Sequence, residues 1–160
     1  LKEMMRASRE TKFISAIIVS LSNFKELADL HGSESGDAIL LECSRKLKAT
    51  CRPYDKIGRI GIAEFLIILP DSGLANARKV SERILSALTK KTLTLNNQKI
   101  NLSCSLGVSE LNPTDVSKNE FADNHLMNDL ILDSLIRRAE LALQKAREQG
   151  KNTIQHYNFT

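Results

Sequence analysis

The chain has 160 residues, 42% of them hydrophobic and 26% charged, a balance that suits one globular domain with a buried core and excludes disordered and fibrous classes. No apolar run approaches the roughly 20 residues that span a bilayer and no basic-then-apolar leader opens the sequence, so a cytoplasmic domain without direct membrane insertion is expected. The net charge is +4, but the sparse aromatic residues are not interleaved with the basic C-terminal run as a base-stacking platform requires, so nucleic acid is not an expected partner.

In chain order, Phe13 to Ser22 ("FISAIIVSLS") is a near-continuous apolar run rich in β-branched residues, which predicts a central strand buried on both faces. "NFKELADLHG" predicts a short helix stopped by Gly32, and "GDAILLECSRKLKATC" places Ile39, Leu40, Cys43 and Leu47 on one helical face, with Pro53 ending the element. Arg59 to Pro70 ("RIGIAEFLIILP") predicts two strands joined by a tight turn at Gly61. Hairpin tips favour Gly, Asn or Asp because these tolerate positive φ, which makes Ile62 an unexpected occupant. A helix over Leu74 to Leu88 follows, with Ala77, Val80, Ile84 and Leu88 inward, and then strands in "KTLTL" and "KINLSCSLGVS". Glu110 to Asp129 has no clear period and reads as a polar loop. Leu130 to Gln149 returns to helical register, with Gly150 as its cap, and "NTIQHY" closes as a strand. Helices mixed with hairpin-joined strands indicate an α+β fold. Cys43, Cys51 and Cys104 lack the paired spacing of a zinc site and are expected to be buried, reduced thiols.

Three stretches, "SLSNFKELADLHGSESGD", "RIGIAEFLIILP" and "AELALQKAREQGKN", resemble the GGDEF domain of diguanylate cyclases in order and separation, over nearly the whole chain. "GIAEF" stands at the Gly-Gly-Asp/Glu-Glu-Phe signature, and "SLSNFK" at the Asp-x-Asp-x-Phe-Lys motif. The resemblance implies a palm-like, mainly antiparallel central sheet flanked by helices, related to adenylyl cyclases and polymerases. It implies one such domain over 1–160, cut from a longer bacterial signalling protein; an opening at Leu1 rather than Met agrees with that. In active members two domains join two GTP into cyclic di-GMP by attack of a ribose 3′ hydroxyl on an α-phosphorus, with Mg²⁺ or Mn²⁺ neutralising charge and activating the nucleophile.

Carried over residue by residue, the resemblance implies a degenerate active site. The metal carboxylate positions are Ser20 and Ala63, a neutral hydroxyl and a methyl; Ser22 replaces the second acidic strand position, and Glu64 alone remains. Gly61 keeps the turn, but Ile62 takes the place of the second signature Gly and brings a branched side chain toward the phosphate path. Asp37 matches the guanine-contacting acid while its Asn partner is Ala28, and Lys25, Arg147 and Lys151 match basic phosphate contacts. Bound metal and catalysis are therefore not expected. Each remnant equally suits a structural role: Asp37 as a helix cap, Glu64 as a solvated hairpin charge, Arg147 and Lys151 as cations at a helix C-terminus.

Family members often carry an inhibitory Arg-x-x-Asp site for cyclic di-GMP just before the signature. "RPYD", Arg52 to Asp55, leaves five residues before Gly61, and Arg83 matches a third contact on the following helix. A guanidinium forks onto a guanine edge or phosphate, and a carboxylate accepts from guanine N1 and N2 hydrogens; equally, the two close their own turn as an ion pair. The expectation is an inactive domain that binds cyclic di-GMP through Arg52, Asp55 and Arg83 and passes that state to an attached sensory or output domain. A ligand-free homodimerisation module is the alternative, and a weakly active cyclase a third.

Overall fold

The computed structural model describes residues 13–95, 97–112 and 124–158. Among them the elements run β1 (Ile14–Leu21), α1 (Phe24–His31), α2 (Ser33–Thr50), β2 (Lys56–Gly61), β3 (Glu64–Leu69), α3 (Leu74–Thr89), β4 (Leu93–Leu95), β5 (Gln98–Ile100), β6 (Cys104–Leu111), α4 (Asn124–Gln149) and β7 (Thr153–His156). The main sheet has the order β2-β3-β1-β6-β7 and is antiparallel except for the β6–β7 pair; β4 and β5 form a separate hairpin. This is the α+β architecture that the hydrophobic pattern implies.

Every residue of β1 is buried, because both sheet faces are covered. Ile17, Val19 and Leu21 meet Ile39 and Leu47 of α2 and Ile84 and Leu88 of α3, while Ile14, Ala16 and Ile18 meet Ile131, Leu135 and Ala139 of α4. Alternation along the strand therefore feeds two cores, and a run with no polar face is the sequence trace of that arrangement. The helix α4 lies on the sheet at Gly107 of β6, where an added Cβ would fall 2.2 Å from the Ala139 carbonyl oxygen and 2.4 Å from the Leu143 nitrogen. Only a residue without a side chain permits that approach.

Three expectations are corrected. "KINLSCSLGVS" is not one strand: β5 ends at Ile100 and β6 begins at Cys104. Between them the Asn23 side chain donates to the Asn101 carbonyl at 2.8 Å and accepts from the Ser103 N–H at 3.1 Å, occupying groups a ladder would use. Glu110 and Leu111 belong to β6, and α4 starts at Asn124, so the polar loop expected over Glu110 to Asp129 is shorter at both ends; its part at 113–123 lies outside the described residues. The β2–β3 turn also needs no positive φ. Among the described non-glycine residues only Asp71, Asn97 and Asn152 have one, so Ile62 is unstrained. A register irregularity between Arg59 and Gly61 absorbs the geometry instead.

Cys43, Cys51 and Cys104 are all free, the first and last buried and Cys51 partly so. Among the described residues no helix is long and apolar enough to cross a membrane.

Candidate functional site

Ser20 lies near the end of β1 on the face that carries α4, and its cross-strand neighbours are Glu64 on β3 and Ser105 on β6. Arg147, in the last turn of α4, reaches across this row: its Nη2 donates to Ser20 Oγ at 2.8 Å and forms an ion pair with Glu64. The charge of Glu64 is thus answered within the chain, and β1, β3 and α4 are tied at one point. Ser20, Ser22, Ser105, Arg147, Gly150 and Lys151 line an open cleft of about 490 Å³. Ala63 packs against the larger core, and its carbonyl accepts from the Leu21 N–H at 3.0 Å. Ile62 is 76% exposed at the hairpin tip and does not line the cleft.

The other remnants are not gathered there. Asp37 is an interior residue of α2 rather than its cap, which is Gly32. It lines a second groove of about 420 Å³ between α2 and β2. Lys25 is exposed on α1 and lines neither hollow. Ala28 sits in the α1–α2 contact, where an added Cβ on Gly36 would come within 3.4 Å of the Ala28 methyl.

The Arg52 to Asp55 turn is closed on itself. Asp55 accepts the Arg52 backbone N–H at 2.8 Å and Arg52 Nη2 at 3.1 Å. Arg52 Nη2 also donates to the Pro70 carbonyl at 3.2 Å and to Ser72 Oγ at 2.8 Å. The guanidinium lies 4.4 Å from the centre of the Tyr54 ring. The Asp55 side chain is 1% exposed and that of Arg52 35%. Arg83 is exposed on α3 within electrostatic reach of the same turn: burial and the Asp55 carboxylate push the Cys51 thiol up to about 11, against the pull of Arg83 and Arg52. Arg52 and Asp55 are therefore paired, with Asp55 innermost, while Arg83 stands on the neighbouring helix with its charge acting on Cys51.

Sequence reasoning missed three organising side chains. Arg59 Nε and Nη2 donate to the Gly61 and Ile62 carbonyls at 3.1 and 2.7 Å, satisfying the hairpin tip. Ser72 anchors Arg52, and Asn23 holds the β5–β6 connection. Asn23 stands immediately before a helix, where Asn usually caps, and that position hid its long-range role.

The family description "Diguanylate cyclase, GGDEF domain" matches residues 1–153. The chain is 28% identical over 141 residues to Diguanylate cyclase A of Treponema denticola, covering 88% of this chain and 34% of that protein. It is 27% identical over 143 residues to the response regulator PleD of Caulobacter vibrioides, covering 88% and 28%. The chain thus spans about a third or less of the length of these curated relatives. The active GGEEF domain of a diguanylate cyclase from Vibrio cholerae superposes with a TM-score of 0.81 at 23% identity, covering 99% of this chain and 92% of that one. The GGDEF domain of DgcB from Caulobacter crescentus, solved in complex with c-di-GMP, superposes with a TM-score of 0.74 at 21% identity, covering 97% and 86%. With the family match covering β1 to β6, the β2–β3 hairpin and Arg147, the chain belongs to the GGDEF-domain family of diguanylate cyclases.

Proposed function

We propose that this domain makes no cyclic di-GMP and instead binds it, acting as a receptor or regulatory module for an attached domain. The bond from Arg147 to Ser20 and its ion pair with Glu64 carry the first half. A hard dication requires anionic oxygens. Beside this cleft stands the Glu64 carboxylate, already neutralised by a guanidinium, and within it the Ser20 hydroxyl, already used as an acceptor by the same group. The residues present do not fit Mg²⁺ or Mn²⁺. Residual GTP binding through Lys25, Asp37, Arg147 and Lys151 is weak on this reading, since these residues are divided between two hollows and the exposed surface.

Recognition of cyclic di-GMP rests on the Arg52 turn. Arg52 donates through Nε and Nη2 to protein acceptors, which fixes its plane and leaves Nη1 for a ligand phosphate or guanine edge. Arg83 supplies a second exposed cation, and Asp55 acts by positioning Arg52. The same closure of the turn supports the second reading, a ligand-free dimerisation module in which Arg52 and Asp55 serve the fold alone. Calorimetric titration with cyclic di-GMP separates them. Arg83→Ala is expected to weaken binding roughly tenfold or more without loss of stability. Absence of binding at millimolar dinucleotide leaves the dimerisation module.

A further inference from the structure

β3 ends at Leu69 because Pro70 has no N–H to continue the ladder, whose last pair with β1 is Ser15↔Leu69. Asp71 then takes a left-handed turn at φ 51° and brings Ser72 back against the start of β1. Two bonds hold it there: the Ser72 N–H donates to the Phe13 carbonyl at 3.0 Å, and the Ser72 carbonyl accepts from the Ser15 hydroxyl at 2.7 Å. The side chain of the same residue belongs to the Arg52 turn. Its Oγ accepts from Arg52 Nη2 at 2.8 Å and from Asn76 Nδ2 at 3.0 Å while donating to the Pro70 carbonyl at 3.3 Å. Two lone pairs and one proton are all that a hydroxyl has, so Ser72, which is buried, is fully committed.

We propose that Ser72 is the positioning residue of the Arg52 site and carries its occupancy to the entry of β1, a relay that rests on the reading of this domain as a cyclic di-GMP receptor. Arg52 Nη2 has two hydrogens and three acceptors within reach, namely Asp55 Oδ1, the Pro70 carbonyl and Ser72 Oγ. In the free protein it shares its hydrogens among them, and the guanidinium librates. A ligand phosphate or guanine edge engaging the exposed part of Arg52 fixes the guanidinium plane. The bond to Ser72 Oγ is then held, and the backbone of Ser72 with it. Such coupling is reciprocal, so whatever displaces Phe13 weakens the ligand.

The direction of transmission follows from what braces the rest of the loop. On the α3 side the Leu74 N–H donates to Glu110 Oε2 at 2.5 Å, an anion favourably placed at a helix N-terminus. The Glu110 carbonyl in turn accepts from Arg138 Nη1 at 3.1 Å, which ties that flank to β6 and α4. On the other side Phe13 precedes the first residue of β1 and is 41% exposed. A shift of Ser72 therefore meets a braced flank toward α3 and a lighter one toward Phe13, where the chain enters the sheet. A staple without a regulatory role makes the same bonds but holds them equally with and without ligand.

The ¹⁵N-labelled domain gives the readout directly, because the amide hydrogen of Ser72 is the one bonded to Phe13 and its exchange with solvent reports opening of that bond. Saturating cyclic di-GMP is expected to slow this exchange about fivefold or more in the wild type. Ser72→Ala keeps both backbone bonds and loses the hydroxyl alone; it is expected to bind the dinucleotide roughly fivefold more weakly and, at saturation, to show no slowing at position 72. Asn76→Ala, exposed on α3, removes one partner of the same hydroxyl and is expected to fall between the two, which keeps the test decisive should Ser72→Ala not fold. Arg83→Ala is expected to bind more weakly yet retain the full slowing at saturation, since Arg52 and Ser72 are intact in it. Unchanged exchange at Ser72 in a wild type that binds, wild-type slowing in Ser72→Ala or Asn76→Ala, or loss of the slowing in Arg83→Ala would overturn the relay and leave the receptor reading standing. Absence of binding to the wild type at millimolar dinucleotide would overturn both.

Discussion

Replacing Asp55 by alanine removes one buried anion and three acceptor contacts: the Arg52 backbone N–H at 2.8 Å, Nη2 at 3.1 Å and Nε at 3.4 Å. Breaking a fully buried ion pair removes about 3–5 kcal/mol. Here one partner is 35% exposed, and it retains the Pro70 carbonyl and Ser72 Oγ, so part of the guanidinium rehydrates. The Arg52 N–H is left without its acceptor, which costs about 1–3 kcal/mol where it is not rehydrated. The expected loss is about 2–3 kcal/mol for Asp55→Ala. Arg52→Ala is expected to lose somewhat more, because it strands the carboxylate that is 1% exposed. The double variant should lose less than the sum of the two. Urea unfolding followed by far-ultraviolet circular dichroism measures all three, provided the slope with denaturant is unchanged. A loss below about 0.5 kcal/mol for Asp55→Ala, or strict additivity, would refute the view that this pair organises the turn. Loss of ligand binding in either single variant then reports a disordered turn as readily as a missing contact, and Arg83→Ala is the cleaner probe of recognition.

Incubation with GTP and either Mg²⁺ or Mn²⁺ is expected to yield no cyclic di-GMP, and product scaling with protein concentration would contradict the proposed inactivity. Ser20→Asp combined with Ala63→Glu is expected to stay inactive as well, because Arg147 already stands over position 20 and would pair with the new carboxylate. Gly107→Ala is expected to destabilise by more than about 3 kcal/mol in the same urea assay, since its methyl would lie 2.2 Å from a backbone oxygen that no rotamer change relieves. Burial holds the Cys43 and Cys104 thiols up at about 12, so neither should react with a thiol reagent at pH 8 until the protein unfolds. Because their folded values lie above the ordinary one, the stability they contribute is complete below about pH 8.5 and is lost as pH rises toward 12, which a pH series of unfolding midpoints detects.

Most of the fold was legible because its signals are local. The unbroken apolar run at Phe13 to Ser22 reports two covered faces, and Gly32 and Gly150, both at positive φ, mark helix ends. The β5–β6 break was not legible, since the sequence continues as a strand and only Asn23, 78 residues away from Asn101, interrupts it. The same holds at the site. Ser20 and Ala63 are read directly from the sequence, but the guanidinium that reaches Ser20 comes from 127 residues along the chain. Spacing carries no information about such a pair. The setting of Asp55 was hidden for a related reason: the Arg52 guanidinium that pairs with it is anchored on Pro70 and Ser72, 18 and 20 residues further along the chain.

The contact at Gly107 is made by helix backbone, so no exchange of side chains on α4 can widen or soften it. It gives α4 a fulcrum between Ala139 and Leu143. Arg147 lies about six residues beyond the middle of that contact, or roughly 9 Å along the axis. A rocking of the helix by about 6° about this point would carry the guanidinium sideways by about 1 Å, enough to lengthen its bond to Ser20 from 2.8 Å past hydrogen-bonding range. Movement at the far end of α4, toward Asn124, would thus be read at the cleft as a gain or loss of one cation over Glu64.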